Sequence, residues 1–263
     1  MREGKTRRPG KGSQIAIGLI GFGAFGRLVA AHIGPLAPIF AHDPALDPAT
    51  RDLPKGVTLC DAATAGACDL VVLAMPVPQL SAAIAAIRPH LRPGATVLDV
   101  CSVKALPAQI MGDELPAHVD IIGTHPMFGP QSARGGVKGL KIVICPIRGD
   151  GARPLAAFLR KTFGLQAILA TPEEHDRQAA MVQGLTHLIA KVLVEMEPLP
   201  RHMTTASFDL LLRAVDMVRH DAPEVFYAIE RMNPYAPDVR RRFFALAAEL
   251  AESLEKNGDG RSA

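Results

Sequence analysis

From Gln14 to about residue 170 the chain alternates short apolar runs with amphipathic segments. The runs are QIAIGLIG, APIFAHD, DLVVLAMP, ATVLDVCS, VDIIGTHP, KIVICP and LQAILATP. Between several of them, Phe25–Ile33, Gln79–Ile87, Lys104–Met111 and Pro154–Phe163 carry apolar residues at helical spacing. Strands joined by crossover helices predict an α/β unit, a doubly wound and mostly parallel sheet with helices on both faces. Ligands of such sheets bind at the carboxyl ends of the strands.

The pattern changes after residue 170. TPEEHDRQAAMVQGLTHLIAKVLVEM reads as one long helix, with Thr171 as N-cap, Pro172 at the first helical position and Glu174 completing a capping box. From there to Glu255 only helical patterns follow, broken near PLPRHMTT, DAPE and NPYAPD. The expected organisation is a tail over 1–12, a nucleotide-binding domain over 13–170 and a helical domain over 171–263. A small helical unit rich in Ala, Leu and Val completes its core against a second copy of itself, so a homodimer through this domain is expected.

Composition narrows the function classes. Of 263 residues, 48% are apolar and 21% charged, which fits a globular chain with a buried core. No run approaches the roughly 20 apolar residues of a membrane span, so no membrane partner is expected. The net charge of +3 gathers in MREGKTRRPGKGS, where Arg2, Lys5, Arg7, Arg8 and Lys11 face only Glu3. That segment has no apolar core, so it reads as a solvated tail and not a secretory signal. The remainder is near neutral, which argues against nucleic acid as a partner. Cys60, Cys68, Cys101 and Cys145 show no CxxC and no ligand spacing. They predict reduced, mostly buried thiols in a cytoplasmic protein, and no metal site.

The first strand leads into Gly21-Phe22-Gly23-Ala24-Phe25-Gly26, and a helix follows. This is the setting the dinucleotide fingerprint requires, and it makes the sheet Rossmann-type. The first glycine allows the turn, the second lets backbone approach a pyrophosphate, and the third lets helix and strand pack closely. The helix N-terminus faces the phosphate charge. Asp43 ends PIFAHD about 20 residues further on, where a carboxylate binds ribose hydroxyls and repels a 2′-phosphate. NAD is therefore the expected cofactor, with NADP disfavoured. Met75 and Pro76, where DLVVLAMP turns away, are expected against the nucleotide.

Two strand ends carry candidate chemistry. LDVCSVKA closes one strand with Ser102, followed by Lys104 at a helix start; GTHPMFGP closes the next with His125. Adjacent strand ends put hydroxyl and imidazole on one rim. A serine steers a substrate hydroxyl, and histidine has the basicity to take its proton. The plainer alternatives are a loop-stabilising His125 and a Ser102 that N-caps the helix beginning near Lys104.

GTHPMFGPQS, with DVCSVKA before it and EEHDRQAAMVQGLTHLIA after it, resembles the prephenate/arogenate dehydrogenases of tyrosine biosynthesis, over roughly Gln14 to Leu250. The resemblance implies NAD(P)-dependent oxidative decarboxylation of a small-molecule cyclohexadienol. His125 matches the histidine that accepts the proton of the 4-hydroxyl, and Ser102 the serine at the same hydroxyl. His187 matches a helix histidine facing the active site. The family often has a second histidine three residues earlier, where this chain has Gly184. Gln183, one helical turn before His187, and Gln131 of the HPMFGPQS loop are further candidates for the substrate. Substrate carboxylates call for arginine. Phe208 to Arg213 has the family's spacing for it, with Arg219 and Arg134 as rivals. His175 reads as helix-terminal structure. Two other functions stay open: a related dehydrogenase of β-hydroxy acids with Lys191 as its catalytic lysine, and a dinucleotide-binding protein without catalysis, which a buried His125 without a cleft would favour.

Overall fold

The computed structural model describes residues 15–47, 50 and 52–258; the tail expected over 1–12 lies outside the described residues. The chain divides into two compact units, Met1–Pro172 and Glu173–Ala263.

The first unit is built on one eight-stranded sheet ordered β3-β2-β1-β4-β5-β6-β7-β8. The strands are β1 (Ile17–Ile20), β2 (Ile39–His42), β3 (Val57–Leu59), β4 (Leu70–Leu73), β5 (Thr96–Asp99), β6 (Asp120–Pro126), β7 (Lys141–Arg148) and β8 (Gln166–Leu169). The helices are α1 (Ala24–Ile33), α2 (Ala62–Gly66), α3 (Leu80–Ile87), α4 (Ala105–Glu114) and α5 (Ala152–Phe163). Strand residues alternate between two apolar cores, because successive side chains leave opposite faces of a sheet. Leu19, Val72, Leu98 and Ile122 pack with α1 and α5 on one face. Ile20, Val71, Val97 and Ile121 pack with α2, α3 and α4 on the other.

Three features add detail that the pattern did not predict. β3 is an edge strand of three residues, too short to show as an apolar run. β7 pairs with β6 antiparallel, while every other pair is parallel. β6 also runs on past His125 through Pro126. β5 stops pairing at Asp99 opposite Gly123, so beyond that point the strand ladder of β6 continues on its β7 side. A proline lacking its N–H is tolerated where one side of the strand has no neighbour.

The second unit is helical: α6 (Pro172–Ala179), α7 (Leu185–Glu195), α8 (Ala206–Val218), α9 (Pro223–Tyr227) and α10 (Ala236–Gly258). The stretch expected as one helix is two, joined by a π-turn over Ala180–Gly184. A second π-turn spans Ala228–Met232. Such turns widen the helix by one residue and collect at functional sites. No helix among the described residues is long and apolar enough to cross a membrane.

Candidate active site

The glycine loop is shaped by contacts that tolerate no side chain. Gly21 has φ +93°, and a Cβ there would stand 2.3 Å from the Ala74 carbonyl oxygen. A Cβ on Gly26 would stand 2.3 Å from the Gly21 carbonyl oxygen, so the third glycine sets how closely α1 packs on the loop. Gly23 differs: it is the N-cap of α1, exposed, with ordinary φ −68°, and nothing lies within 4 Å of where its Cβ would be. The space over the first turn of α1 is open, and that turn holds no acidic residue to compete with a phosphate.

Asp43 follows β2 and holds this loop. One carboxylate oxygen accepts the Phe22 amide at 2.7 Å, the other the Ala45 amide at 2.9 Å. Each oxygen keeps a lone pair for a further donor. Phe22 itself is buried under the Arg27 guanidinium, its amide given to Asp43, so it shapes the loop and offers no free donor. Ala24 is exposed, and Phe25 packs its ring 6.5 Å from that of Phe128 in the loop after β6. Met75 is half-buried and Pro76 exposed where the chain leaves β4. Open space at Gly23, unopposed amides and a carboxylate at the end of β2 fit a dinucleotide.

Ser102 and His125 leave neighbouring strand ends. Ser102 does not cap the following helix: α4 begins at Ala105 and its N-cap is Lys104, which makes no side-chain capping bond. Asp99 organises the turn instead, accepting the Cys101 amide at 2.9 Å. Ser102 is half-exposed between buried Cys101 and buried Val103. His125 is only 3% exposed. It alternates with Thr124 and Pro126, which line an apolar cavity of about 520 Å³ on the opposite, α1/α5 face of the sheet. That cavity has only His32 and Thr124 as polar lining residues and contains neither Ser102 nor His125. Gln131 is half-buried and Arg134 exposed in the loop between β6 and β7.

The remaining candidates belong to the helical unit. His187 is buried on α7, its ring centroid 6.4 Å from that of Phe226. Burial, and then the charge of Lys191, holds its imidazole below the ordinary value. Asp221 lies 3.8 Å from Nε2, beyond hydrogen-bond reach, and burial raises its own carboxyl. Gln183 sits inside the π-turn, half-buried, so no regular α-turn links it to His187. Arg213 is exposed and lines a cavity of about 240 Å³ with Arg201, Asp209, Leu212 and Asp216. Its rival Arg219 is already engaged, bonding Glu197 at 2.8 and 3.0 Å. Lys191 stacks its ammonium 5.5 Å from the Phe226 ring centroid. His175 is buried with Nδ1 2.7 Å from the Asp176 carboxylate, whose backbone carbonyl accepts from Asn233 at 2.7 Å.

The pH sign follows from His187. The unfolded imidazole binds a proton near pH 6.5, while the folded one resists it, so stability present above that pH falls as the pH drops toward the folded value. Asp221 acts in the opposite sense, its raised carboxyl taking up a proton first in the folded chain, at lower pH. Urea midpoints should fall between about pH 7 and about pH 5.5, and His187→Gln should fall less. Equal loss in both proteins would contradict this account.

Glu230 and Lys104 are among the buried charged groups that the sequence did not single out. Glu230 is 4% exposed in the second π-turn; one carboxylate oxygen pairs with Arg240 at 2.7 Å, and the other has no partner among the described residues. A Cβ on Gly184 would stand 3.3 Å from that oxygen. Lys104 is 1% exposed and ion-paired to Asp99. Its signal was Gly123, a glycine inside a strand, which marks a close approach.

Comparison with known proteins agrees on family and fold. The family model described as prephenate dehydrogenase, nucleotide-binding domain, matches residues 49–169, and that described as prephenate dehydrogenase, dimerization domain, matches residues 171–261. A Methanocaldococcus jannaschii protein named as a probable arogenate/prephenate dehydrogenase is 27% identical over 203 residues, covering 73% of this chain and 44% of its own length. Chloroplastic arogenate dehydrogenase 2 of Arabidopsis thaliana is 33% identical over 179 residues, covering 65% of this chain and 49% of its own. The chain thus spans less than half the length of these two relatives. The crystal structure of prephenate dehydrogenase from A. aeolicus, in complex with hydroxyphenyl propionate and NAD+, superposes with a TM-score of 0.70 at 21% identity, covering 95% of this chain and 94% of that one. Its likeness extends the agreement to the fold of both units. On the two family models, which together run through most of the sheet and the whole helical unit, the chain belongs to the prephenate/arogenate dehydrogenase family.

Proposed function

We propose that the protein oxidatively decarboxylates prephenate or arogenate in tyrosine biosynthesis, with NAD as the preferred cofactor. The observation that carries this reading is the pairing, on one sheet, of an open glycine cradle ending in Asp43 with Ser102 and His125 at neighbouring strand ends. The first-turn amides of α1 would hold the pyrophosphate, and Asp43 the ribose hydroxyls. Bound there, the nicotinamide supplies a hydride acceptor. Ser102, whose hydroxyl bonds no other described residue, would orient the substrate's 4-hydroxyl, and His125 would take its proton. Loss of the ring carboxylate as carbon dioxide leaves a phenolate, which recovers that proton, so the step consumes no net base.

Arg213 is the group proposed for the substrate's side-chain carboxylate, since it is not engaged as Arg219 is. Arg213→Ala should raise KM by about 10- to 100-fold with little change in kcat, the worth of one charge-assisted carboxylate contact. An unchanged KM would remove Arg213 from the site. The helical unit exposes Leu246, Leu250 and Leu254 along one side of α10, a stripe that a second copy would cover. Sedimentation at the mass of one chain would overturn that homodimer.

The test of function is a parallel assay of both acids with NAD and NADP, following the reduced nicotinamide. Turnover of either acid, faster with NAD, is expected. The burial of His125 favours a second reading, a dinucleotide-binding protein without turnover. NAD binding with no reaction of either acid is its outcome and would overturn the first.

A further inference from the structure

Asp99, Lys104 and Thr124 form a buried knot between the two strand ends that carry Ser102 and His125. Asp99 is 0% and Lys104 1% exposed, and their side chains are ion-paired. The Lys104 ammonium also donates to the Thr124 carbonyl oxygen at 2.6 Å. The second Asp99 oxygen accepts the Thr124 amide at 3.3 Å, and the Thr124 hydroxyl donates to the Asp99 carbonyl oxygen. Asp99 further accepts the Cys101 amide.

The lysine reaches this place because of Gly123. A Cβ there would lie 3.3 Å from Lys104 Cδ, so the bare strand backbone gives the aliphatic stem its passage. Burying an ammonium is costly unless it is paired and its donors are used. Helix capping does not need it, since Lys104 makes no side-chain capping bond. What the knot joins is specific. Cys101 precedes Ser102, and Thr124 precedes His125, so each residue it grips is the immediate neighbour of a candidate catalytic group.

We propose that Lys104 is a positioning residue, whose buried ammonium, bonded to Asp99 and to the Thr124 carbonyl, locks the Ser102 turn to the His125 strand end. It touches no substrate. It sets the separation of hydroxyl and imidazole, on which a shared hold on one substrate hydroxyl depends. The consequence for rate rests on the dehydrogenase reading; the lock itself does not.

The test uses the full chain with Asp99→Asn/Lys104→Met, which removes both charges and keeps the volume. Hydrogen exchange at residues 100–104 and 122–126 should speed by about tenfold or more as the local opening cost falls, with other segments unchanged. NAD binding, measured by calorimetry, should be retained. With substrate, kcat should fall about 100-fold at nearly constant KM, as a displacement of about 1 Å between reacting groups costs. Native exchange and native kcat in the folded double variant would overturn the proposal, as would equal loss of NAD binding and rate. Should that variant not fold, Thr124→Val against Thr124→Ser decides: the serine retains the hydroxyl bond and most of the rate, the valine loses both, and equal rates and exchange overturn the lock. A wild-type protein that turns over neither acid defeats the functional reading alone, and exchange then decides the lock.

Discussion

His125→Asn is expected to lower kcat by about two to four orders of magnitude, the range typical for loss of a general base. Asparagine preserves a polar side chain of smaller volume at a site that is 3% exposed, so the fold has room for it. It still hydrogen-bonds a substrate hydroxyl but cannot accept its proton. The glycine cradle lies at the end of β1 and contains no atom of His125, so NAD affinity should be unchanged. Single-turnover kinetics checks this, because it isolates the chemical step from product release. A variant that keeps full rate would take His125 out of the reaction and leave its burial as a packing role.

Gly23→Val should abolish useful cofactor binding without unfolding the protein. The backbone at Gly23 has an ordinary φ and its Cβ position is open, so valine meets no clash in the chain alone and costs about 1 kcal/mol as a poorer N-cap of α1. Its branches would occupy the space through which a pyrophosphate reaches the first-turn amides of α1. Losing two charge-assisted bonds of about 1.5–3 kcal/mol each corresponds to roughly 100-fold or more in affinity. Calorimetry with NAD and a thermal melt of the same sample check both halves. Wild-type affinity would mean that the dinucleotide does not lie over Gly23.

The glycine loop and its setting were legible because their signals are local. A strand, three glycines and a helix announce themselves within a dozen positions, and Asp43 lies at the distance the next strand end requires. What failed to show was whatever depends on a distant partner. The pattern of KIVICP is the same whether it runs parallel or antiparallel to its neighbour, and only the observed register settles β7. The π-turn at Ala180–Gly184 leaves apolar spacing almost intact, so the interruption between α6 and α7 was invisible. Lys104 at a helix start reads as a solvated charge until Gly123 is seen beneath its stem. Asp43 was expected to meet a ribose; what the structure shows is its carboxylate holding the Phe22 amide and so shaping the glycine loop.

If cofactor cradle and His125 serve one oxidative decarboxylation, hydride transfer and loss of carbon dioxide are coupled one to one. The most direct measurement mixes the protein with prephenate or arogenate and NAD and counts both reduced nicotinamide and carbon dioxide, for wild type and His125→Asn. Equal amounts of the two products are expected from the wild type, and neither at a comparable rate from the variant. Absence of both products from a wild-type protein that binds NAD, with either acid and either nicotinamide cofactor, would contradict that reaction.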